Sequence, residues 1–324
     1  MPSPELDGCT TDYVSPLVGF LVLAEFCIGA VSIILNCALA VCSYHAVPFS
    51  FSQRQSLGAI SLNYVLVSGV ILARSIFVGF IAYSTCNTTV TTANCKIQEF
   101  PLVFVYFQAA FMPALLAVQF FYKQNHRVRQ INYLNACSIT QLLISVFCLA
   151  LALWFTAFDH EHRGKYIKHC LIVRAIHEKR MVFAMFTALL GIQLFSLFMW
   201  LLIQRQVSNQ QQDRRVRSLS EEMVGENVGW CLVLFLSGFI GVYEYVYDET
   251  SESLISAALE TSFVLAPLML SLFRAISISW NVEPIRLSIL DIFPGAAYFL
   301  QIDYDKVYRY DREVSGLEKA ESEE

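Results

Sequence analysis

Residues 95–129, CKIQEFPLVFVYFQAAFMPALLAVQFFYKQNHRVR, contain the pattern that decides the fold. A cysteine, Cys95, is followed by an apolar run from Phe100 to Tyr122 and then by a basic cluster. The run is about 23 residues long, and a helix that crosses a bilayer needs roughly 20. Its two glutamines are expected to face other helices, because lipid disfavours isolated polar side chains. The stretch therefore predicts the third span of a seven-helix bundle, with a disulfide outside and positive charge in the cytoplasm.

The composition places the chain among integral membrane proteins. Of its 324 residues, 56% are hydrophobic and 15% are charged, whereas soluble proteins average about 25% charged residues. The net charge of -5 comes largely from the acidic tail after Asp303 and indicates no particular partner. Most of the chain is needed for membrane spans, so a separate soluble domain has no room and the lipid bilayer is the first partner.

Seven apolar runs of about spanning length follow one another along the chain. They are Leu17–Cys42, Ser56–Tyr83, Phe100–Tyr122, Ala136–Phe158, Met181–Gln204, Val228–Tyr247 and Ser253–Ile278. No strand alternation is sustained, and helices are the other spanning structure that satisfies the backbone. The sequence thus predicts an all-α membrane protein, a seven-transmembrane helix bundle.

Three regions follow from these runs. We predict an extracellular N-terminus at 1–16, a transmembrane domain at 17–280 and a cytoplasmic tail at 281–324 that includes a short amphipathic helix on the membrane surface. The first run is too long, and its flank too poor in basic residues, for a cleaved signal peptide. The tail helix is expected to end at Pro294-Gly295.

The polar loops favour an N-terminus outside and a C-terminus in the cytoplasm. Basic loop residues support this orientation only slightly, because the loop before the fifth run is basic as well. Asn87 begins an Asn-Thr-Thr sequon between the second and third runs. Glycosylation at Asn87 requires a lumenal loop, which agrees with the same orientation.

The cysteines favour this orientation more strongly. Of the ten, six lie within or at the ends of the runs, and the four in loops, Cys9, Cys86, Cys95 and Cys170, all fall on the predicted outer side. Disulfides persist in oxidising compartments. We predict a Cys95–Cys170 bond and a second bond between Cys9 and Cys86. Four cysteines allow three pairings, and free thiols are the alternative.

Three ionisable residues inside the runs, Glu25, Arg74 and Glu260, mark a candidate site, because charges within a membrane are costly and commonly functional. Each lies roughly 10–14 Å below the outer surface at 1.5 Å per residue. The first, second and seventh spans are neighbours in a seven-helix bundle. We therefore predict that Arg74 pairs with Glu260, with Glu25 as second partner or protonated neighbour. The pair either only locks the bundle, or lines a ligand pocket and changes on activation.

Other polar residues carry weaker signals. Asn36, Ser61 and Asn63 are predicted to form a polar core in the inner half of the bundle, unless each is satisfied separately. Four histidines in the loop before the fifth run, with Asp159 and Glu161, are too loosely spaced for zinc, and a solvated loop is favoured. The spans contain no spaced His/Asp set. We therefore expect no enzyme, cofactor, metal site or nucleic-acid partner.

Seven spans with cysteines before the third and fifth resemble a G-protein-coupled receptor. The chain departs from the rhodopsin class, which has an acid-Arg-Tyr triplet after the third span where Tyr122-Lys123-Gln124 stands here. The Asn-Pro-x-x-Tyr motif of that class is replaced by Ala266-Pro267-Leu268-Met269-Leu270.

The chain is more similar to the nematode serpentine chemoreceptors of the alpha, beta and alpha/beta classes, the Sra superfamily. Glu226-Asn227 resembles the Glu-Asn before their sixth span, Glu260 with Pro267 resembles their Glu…Pro-Leu pattern, and Arg74 resembles an arginine of their second span. The resemblance implies a plasma-membrane receptor of sensory cells. It implies an odorant-like small-molecule ligand in the outer half of the bundle and a heterotrimeric G protein as partner.

The resemblance also implies a cytoplasmic groove for the G protein, unless its basic residues meet anionic lipid instead. The groove would be lined by Lys123, Arg127, Arg129, Arg214, Arg215 and Arg217. The alternative function is a seven-span transporter or channel subunit. Transporters usually show internal repeats and broken helices, and neither is evident here.

Overall fold

A computed structural model describes residues 16–46, 49, 51–84, 90–125, 130–157, 166–167, 179–210, 214–247 and 254–293, with some side chains near helix ends outside this description. The described part forms eight helices and one two-stranded sheet. The helices are α1 (Pro16–His45), α2 (Phe51–Ser84), α3 (Thr92–Asn125), α4 (Gln130–Ala157), α5 (Lys179–Gln210), α6 (Arg214–Tyr247), α7 (Leu254–Asn281) and α8 (Glu283–Ile292). The strands are β1 (Val90–Thr91) and β2 (Tyr166–Ile167).

Six of the described helices are long and apolar enough to cross a membrane. They provide the stretches Gly19–His45, Arg54–Phe77, Ala93–Tyr122, Ser138–Thr156, Met181–Val207 and Val264–Asn281. Large apolar side chains such as Leu142 and Phe198 are more than half exposed on the outside of the bundle, as expected where the surrounding medium is lipid. The prediction of an all-α membrane protein is confirmed. α6 is also long, with 34 residues. That α6 is a further span, which would bring the number of spans to seven, stays a prediction.

The observed helix bounds match most of the predicted runs within a few residues. α3 differs, because it begins at Thr92 rather than Phe100 and so gains about two turns. α6 begins at Arg214, well before the predicted run at Val228. The polar residues ahead of the sixth run thus form a helical extension of this run.

α3 is the central helix of the bundle. Among the six candidate spans its buried share is the largest, 72%, whereas that of α4 is 17%. α3 packs against α2, α4 and α5, and its aromatic side chains meet rings on α4, α5 and α6. These pairs are Tyr106–Trp230, Phe107–Phe155, Phe111–Phe147 and Phe120–Trp200, with ring centroids 5.5–6.2 Å apart.

α8 is the short helix predicted after the last span. It has Pro284 in its first turn, where a missing N–H costs nothing, and it ends at Ile292, just before Pro294. α8 packs against α1 and α7 and buries Ile285 and Leu290. Its existence and end confirm the sequence prediction, while its position on a membrane surface stays a prediction.

A small sheet joins the segments that precede α3 and α5. β1 pairs with β2 in antiparallel register, with Val90 opposite Ile167. Cys95, just after β1, is disulfide-bonded. Its partner lies outside the described residues, so the Cys95–Cys170 pairing stays a prediction. Cys9, Cys86 and Asn87 also lie outside the described part.

Candidate functional site

The first buried charge cluster is the Arg74 cluster, which consists of Glu25, Arg74, Ser75 and Glu99. The Arg74 Nε atom lies 3.2 Å from Glu99 Oε1, and the two side chains are 13% and 3% exposed. The Ser75 hydroxyl donates to Glu25 Oε2 at 2.6 Å. Glu25 is completely buried, and among the described residues its other oxygen, Oε1, has no hydrogen-bond partner. The cluster joins α1, α2 and α3.

The structure brings together two of the three residues predicted for this site. Arg74 is close enough to Glu25 to interact electrostatically, as the sequence suggested. The side chain of Glu260 lies outside the described residues, so the Arg74–Glu260 pair stays a prediction. Glu99 was missed, because sequence analysis placed it ahead of the third span, whereas α3 already includes it. The sequence feature that could have identified Glu99 is its position one helical turn after Cys95.

A second polar group joins α1, α2 and α7 through hydroxyls. Ser32 Oγ lies 2.9 Å from Ser68 Oγ and 2.7 Å from Ser271 Oγ. Asn36 donates its amide to Ser271 Oγ at 3.0 Å. All four side chains are completely buried.

The predicted polar core of Asn36, Ser61 and Asn63 is therefore not one group. Asn36 belongs to the serine group just described, whereas Ser61 lies within 3.4 Å of Arg274 Nη1. Asn63 is buried, and its Nδ2 atom has no hydrogen-bond partner in the described part of the structure.

The second buried charge cluster is the Arg274 cluster, which consists of Tyr64, Glu226, Trp230 and Arg274. Arg274 Nε lies 2.8 Å from Glu226 Oε2, and the two side chains are only 2% and 3% exposed. The Tyr64 hydroxyl donates to Glu226 Oε1 and accepts from Trp230 Nε1 at 2.7 Å. The guanidinium of Arg274 also lies over the Tyr64 ring, 5.0 Å from its centroid.

These contacts combine a charge-assisted hydrogen bond with a cation–π contact. Both oxygens of Glu226 are bonded, each to a different helix, while Arg274 Nη2 has no partner within the described part of the chain. Removing two charges from water costs several kcal/mol per ion, and only their attraction and the added hydrogen bonds offset it. The cluster therefore holds α6 against α2 and α7 specifically through its charges.

Two further features bring α6 and α7 together. Glu222 of α6 accepts hydrogen bonds from Ser277 and from Asn281, the latter at 2.6 Å. At Gly229, a Cβ atom would lie 2.5 Å from Leu270 Cδ2. The glycine therefore allows a close approach of the two helices, next to the Arg274 cluster.

Glu226 was recognised in the sequence as part of a Glu-Asn pair, but no partner was predicted for it. Arg274 was not predicted as a site residue. The signal for Arg274 was present, since it is an arginine inside the predicted run Ser253–Ile278. Asn227 plays a local role, because its amide donates to the Met223 carbonyl at 2.6 Å within α6.

One face of α2 connects the polar groups. Ser61, Tyr64, Ser68 and Ser75 are spaced by three, four and seven residues, so they lie along the same side of the helix. Each contacts polar groups of other helices: Ser61 and Tyr64 in the Arg274 cluster, Ser68 in the serine group and Ser75 in the Arg74 cluster. These four side chains form a polar column on α2 that spans about 21 Å along the helix axis.

The basic residues predicted to face a G protein are only partly described. Lys123 lies in α3, and Arg214 and Arg215 begin α6, but their side chains lie outside the description, as do Arg127 and Arg129 altogether. Arg217 is exposed and pairs with Glu221 at 3.0 Å. An exposed pair of this kind contributes little to stability.

The described residues contain no candidate metal site. Among those residues, no group of three or more His, Cys, Asp or Glu side chains is placed to hold a metal ion. The histidine-rich loop before α5 falls outside them.

Fold and site together define a polytopic α-helical membrane protein with charges buried between its helices. No family model matches the sequence. The chain is similar to the uncharacterized protein T09B9.5 of Caenorhabditis elegans, with 30% identity over 302 residues, which cover 91% of this chain and 82% of that protein. The chain therefore belongs to the same family as T09B9.5.

Proposed function

We propose that this protein is a seven-span chemosensory receptor of the G-protein-coupled type in the plasma membrane. In this proposal α6 is the sixth span, the N-terminus is outside, and α8 lies along the cytoplasmic surface. The observation that carries the proposal is the Arg274 cluster. It fixes α6 to α2 and α7 by a buried ion pair at the end of the bundle that this orientation places near the cytoplasm.

In this proposal the Arg274 cluster stabilises the closed state of the receptor. A buried pair that loses one partner costs about 3–5 kcal/mol, so without ligand α6 stays docked. A ligand opens the groove only if it binds the open state better than the closed one. To move the ratio of open to closed protein from 1:99 to 99:1, the ligand must bind the open state about 5.5 kcal/mol more tightly than the closed state.

The Arg74 cluster is the proposed contact for an odorant-like small molecule. It lies in the outer half of the bundle in this orientation, and the free Oε1 of Glu25 offers hydrogen-bonding capacity there. The polar column on α2 then links this cluster to the Arg274 cluster through side chains of one helix face.

The G protein is proposed to bind between the cytoplasmic ends of α3, α5 and α6. Exposed Arg217 at the beginning of α6 supports this placement. Lys123, Arg127, Arg129, Arg214 and Arg215 are the further basic candidates there.

The test uses a double variant, Glu226→Leu with Arg274→Leu, in lipid nanodiscs with purified G-protein heterotrimers. Replacing both partners removes the polar contact that fixes the position of α6, without leaving a buried charge unpaired. Basal exchange of GDP for a non-hydrolysable GTP analogue should rise several-fold over the wild type. Thr156→Val is the control, because the Thr156 hydroxyl bonds only the Ala152 carbonyl within α4, and it should leave basal exchange unchanged.

The proposal is overturned if the folded double variant stimulates exchange on no heterotrimer class. Solute flux or ionic current through proteoliposomes that contain the wild-type protein would then assign it to the transporter or channel class.

A further inference from the structure

The start of α6 and the end of α7 meet in a polar contact, which we call the Asn281 contact and which consists of Ser218, Glu222, Ser277 and Asn281. The Ser218 hydroxyl donates to the Asn281 carbonyl at 2.8 Å. The Asn281 amide donates to Glu222 Oε1 at 2.6 Å, and the Ser277 hydroxyl donates to Glu222 Oε2. Asn281 is the last residue of α7, so the contact holds the start of one helix to the end of the other.

Ser218 can be reached from outside the bundle. It is the fifth residue of α6 and is partly exposed. The first turns of a helix open at little cost in free energy, so a protein that binds an extended segment has access to Ser218. Ser220 differs, because it is completely buried and its hydroxyl donates to the Arg217 carbonyl at 2.8 Å within α6.

The residues in front of Ser218 are strongly basic. Arg214, Arg215 and Arg217 precede it within four positions, and no acidic residue stands between them. An enzyme with an acidic substrate groove binds such a segment through charge-assisted hydrogen bonds. Arg217 is available for this, because its exposed pair with Glu221 contributes little to stability. The segment therefore fits the substrate groove of an arginine-directed protein kinase.

We propose that Ser218 is a phosphorylation site, and that its phosphorylation detaches the start of α6 from the end of α7. In the reaction Ser218 Oγ bonds to the γ-phosphorus of ATP, the bond from that phosphorus to the bridging oxygen breaks, and ADP leaves. The hydroxyl proton passes to a base of the kinase. ATP and protein kinases are found in the cytoplasm, so the inference rests on the orientation in the proposed function, but not on the proposed ligand or G protein.

The phosphate breaks the Asn281 contact for two reasons. It replaces the hydroxyl proton, so residue 218 no longer donates to the Asn281 carbonyl, and the phosphate oxygens are acceptors. It also adds about 1.5–2 negative charges at pH 7, beside the C-terminal end of α7, which is itself partly negative. Glu222, one turn further along α6, adds another negative charge to the same contact. Repulsion therefore pushes the two helix ends apart.

The Arg274 cluster limits how far α6 moves. Glu226 stays bonded to Tyr64 and Arg274, because about 12 Å along the helix axis separates it from Ser218. Phosphorylation is therefore expected to open residues 214–222 and to leave the rest of α6 in the bundle. This local opening is distinct from the loss of the buried ion pair.

The test treats the dephosphorylated full-length protein in nanodiscs with ATP and each of two arginine-directed kinases, the cyclic-AMP-dependent and the calmodulin-dependent enzyme. Mass spectrometry should find phosphate on Ser218 and none on Ser220. Both faces of a nanodisc are accessible, and no ligand or G protein is present. A negative result here therefore leaves receptor signalling untouched, and a failure to signal leaves a positive result standing.

Hydrogen exchange then measures the opening of α6. Amide exchange in residues 214–222 should rise about tenfold or more on phosphorylation, since a hydrogen bond is lost and a repulsion is added. Ser218→Ala removes only the hydrogen bond and should give a smaller rise, of a few-fold. Ser220→Ala is the matched control, because it lies in the same basic segment. It should be phosphorylated at Ser218 like the wild type.

A synthetic peptide of residues 211–224 shows whether each kinase recognises the sequence without the fold. The inference is overturned if neither kinase modifies Ser218 in the folded protein, whether or not the peptide is a substrate. It is also overturned if Ser220 is modified as readily as Ser218. The proposed detachment is wrong if amides 214–222 of the phosphorylated protein exchange no faster than those of Ser218→Ala.

Discussion

The Arg74 and Arg274 clusters contain the same pair of groups, an arginine and a glutamate from different helices, but they are completed differently. In the Arg274 cluster both oxygens of Glu226 are bonded, and neither charged side chain is more than 3% exposed. In the Arg74 cluster the arginine is 13% exposed, and one oxygen of Glu25 has no partner among the residues that the structure describes. A carboxylate with both oxygens bonded fixes its helices in place, whereas a carboxylate with one open oxygen retains bonding capacity for a further group.

The largest expected effect comes from breaking the Arg274 cluster on one side. Glu226→Leu leaves the Arg274 guanidinium buried without its carboxylate, which should cost about 3–5 kcal/mol of stability. Thermal melting in detergent, followed by size-exclusion chromatography, measures it. The double variant with Arg274→Leu should recover most of the loss. If the double variant melts as low as the single one, the loss does not come from the unpaired charge of Arg274.

An intermediate effect is expected at Glu99. Glu99→Gln keeps the shape of the side chain but removes the charge that faces Arg74, and we expect a loss of about 1–3 kcal/mol. The loss should be smaller than at Glu226, because Arg74 is partly exposed and also interacts with Glu25. The same melting assay applies. Equal losses at Glu99 and Glu226 would remove the distinction between the two clusters.

The smallest effect on stability is expected at Glu25. Glu25→Gln retains an oxygen that can accept from Ser75, so the melting temperature should reflect a loss of about 1 kcal/mol or less. Ligand-dependent signalling should nevertheless be lost if the open oxygen contacts the ligand. A loss of stability as large as that of Glu99→Gln would show that Glu25 supports the fold rather than a ligand.

The helices were predictable because each apolar residue of a run adds to the evidence for a span. About 20 apolar residues are enough to identify a span, whatever the neighbouring helices do. The start of α3 was not predictable in this way. Its first two turns include Lys96 and Glu99, whose burial depends on partners from elsewhere in the sequence.

The sites were predictable only in part, for a related reason. Glu25 and Arg74 were identified by their charge inside apolar runs, and Arg274 offered the same signal. Tyr64 and Trp230 offered none, because aromatic residues occur throughout such helices and become informative only where α2 and α6 meet.

The Glu226–Arg274 pair has a consequence for how the chain enters the bilayer during synthesis. A charge at the centre of an isolated helix opposes membrane insertion by about 2.5–3.5 kcal/mol. The two residues are 48 positions apart on consecutive helices, whereas Tyr64 precedes Glu226 by 162 positions. If α6 is the sixth span, as proposed, α6 and α7 gain most by leaving the translocon together as a helical hairpin, with their charges already neutralised. Docking onto α2, which is already in the membrane, then completes the cluster.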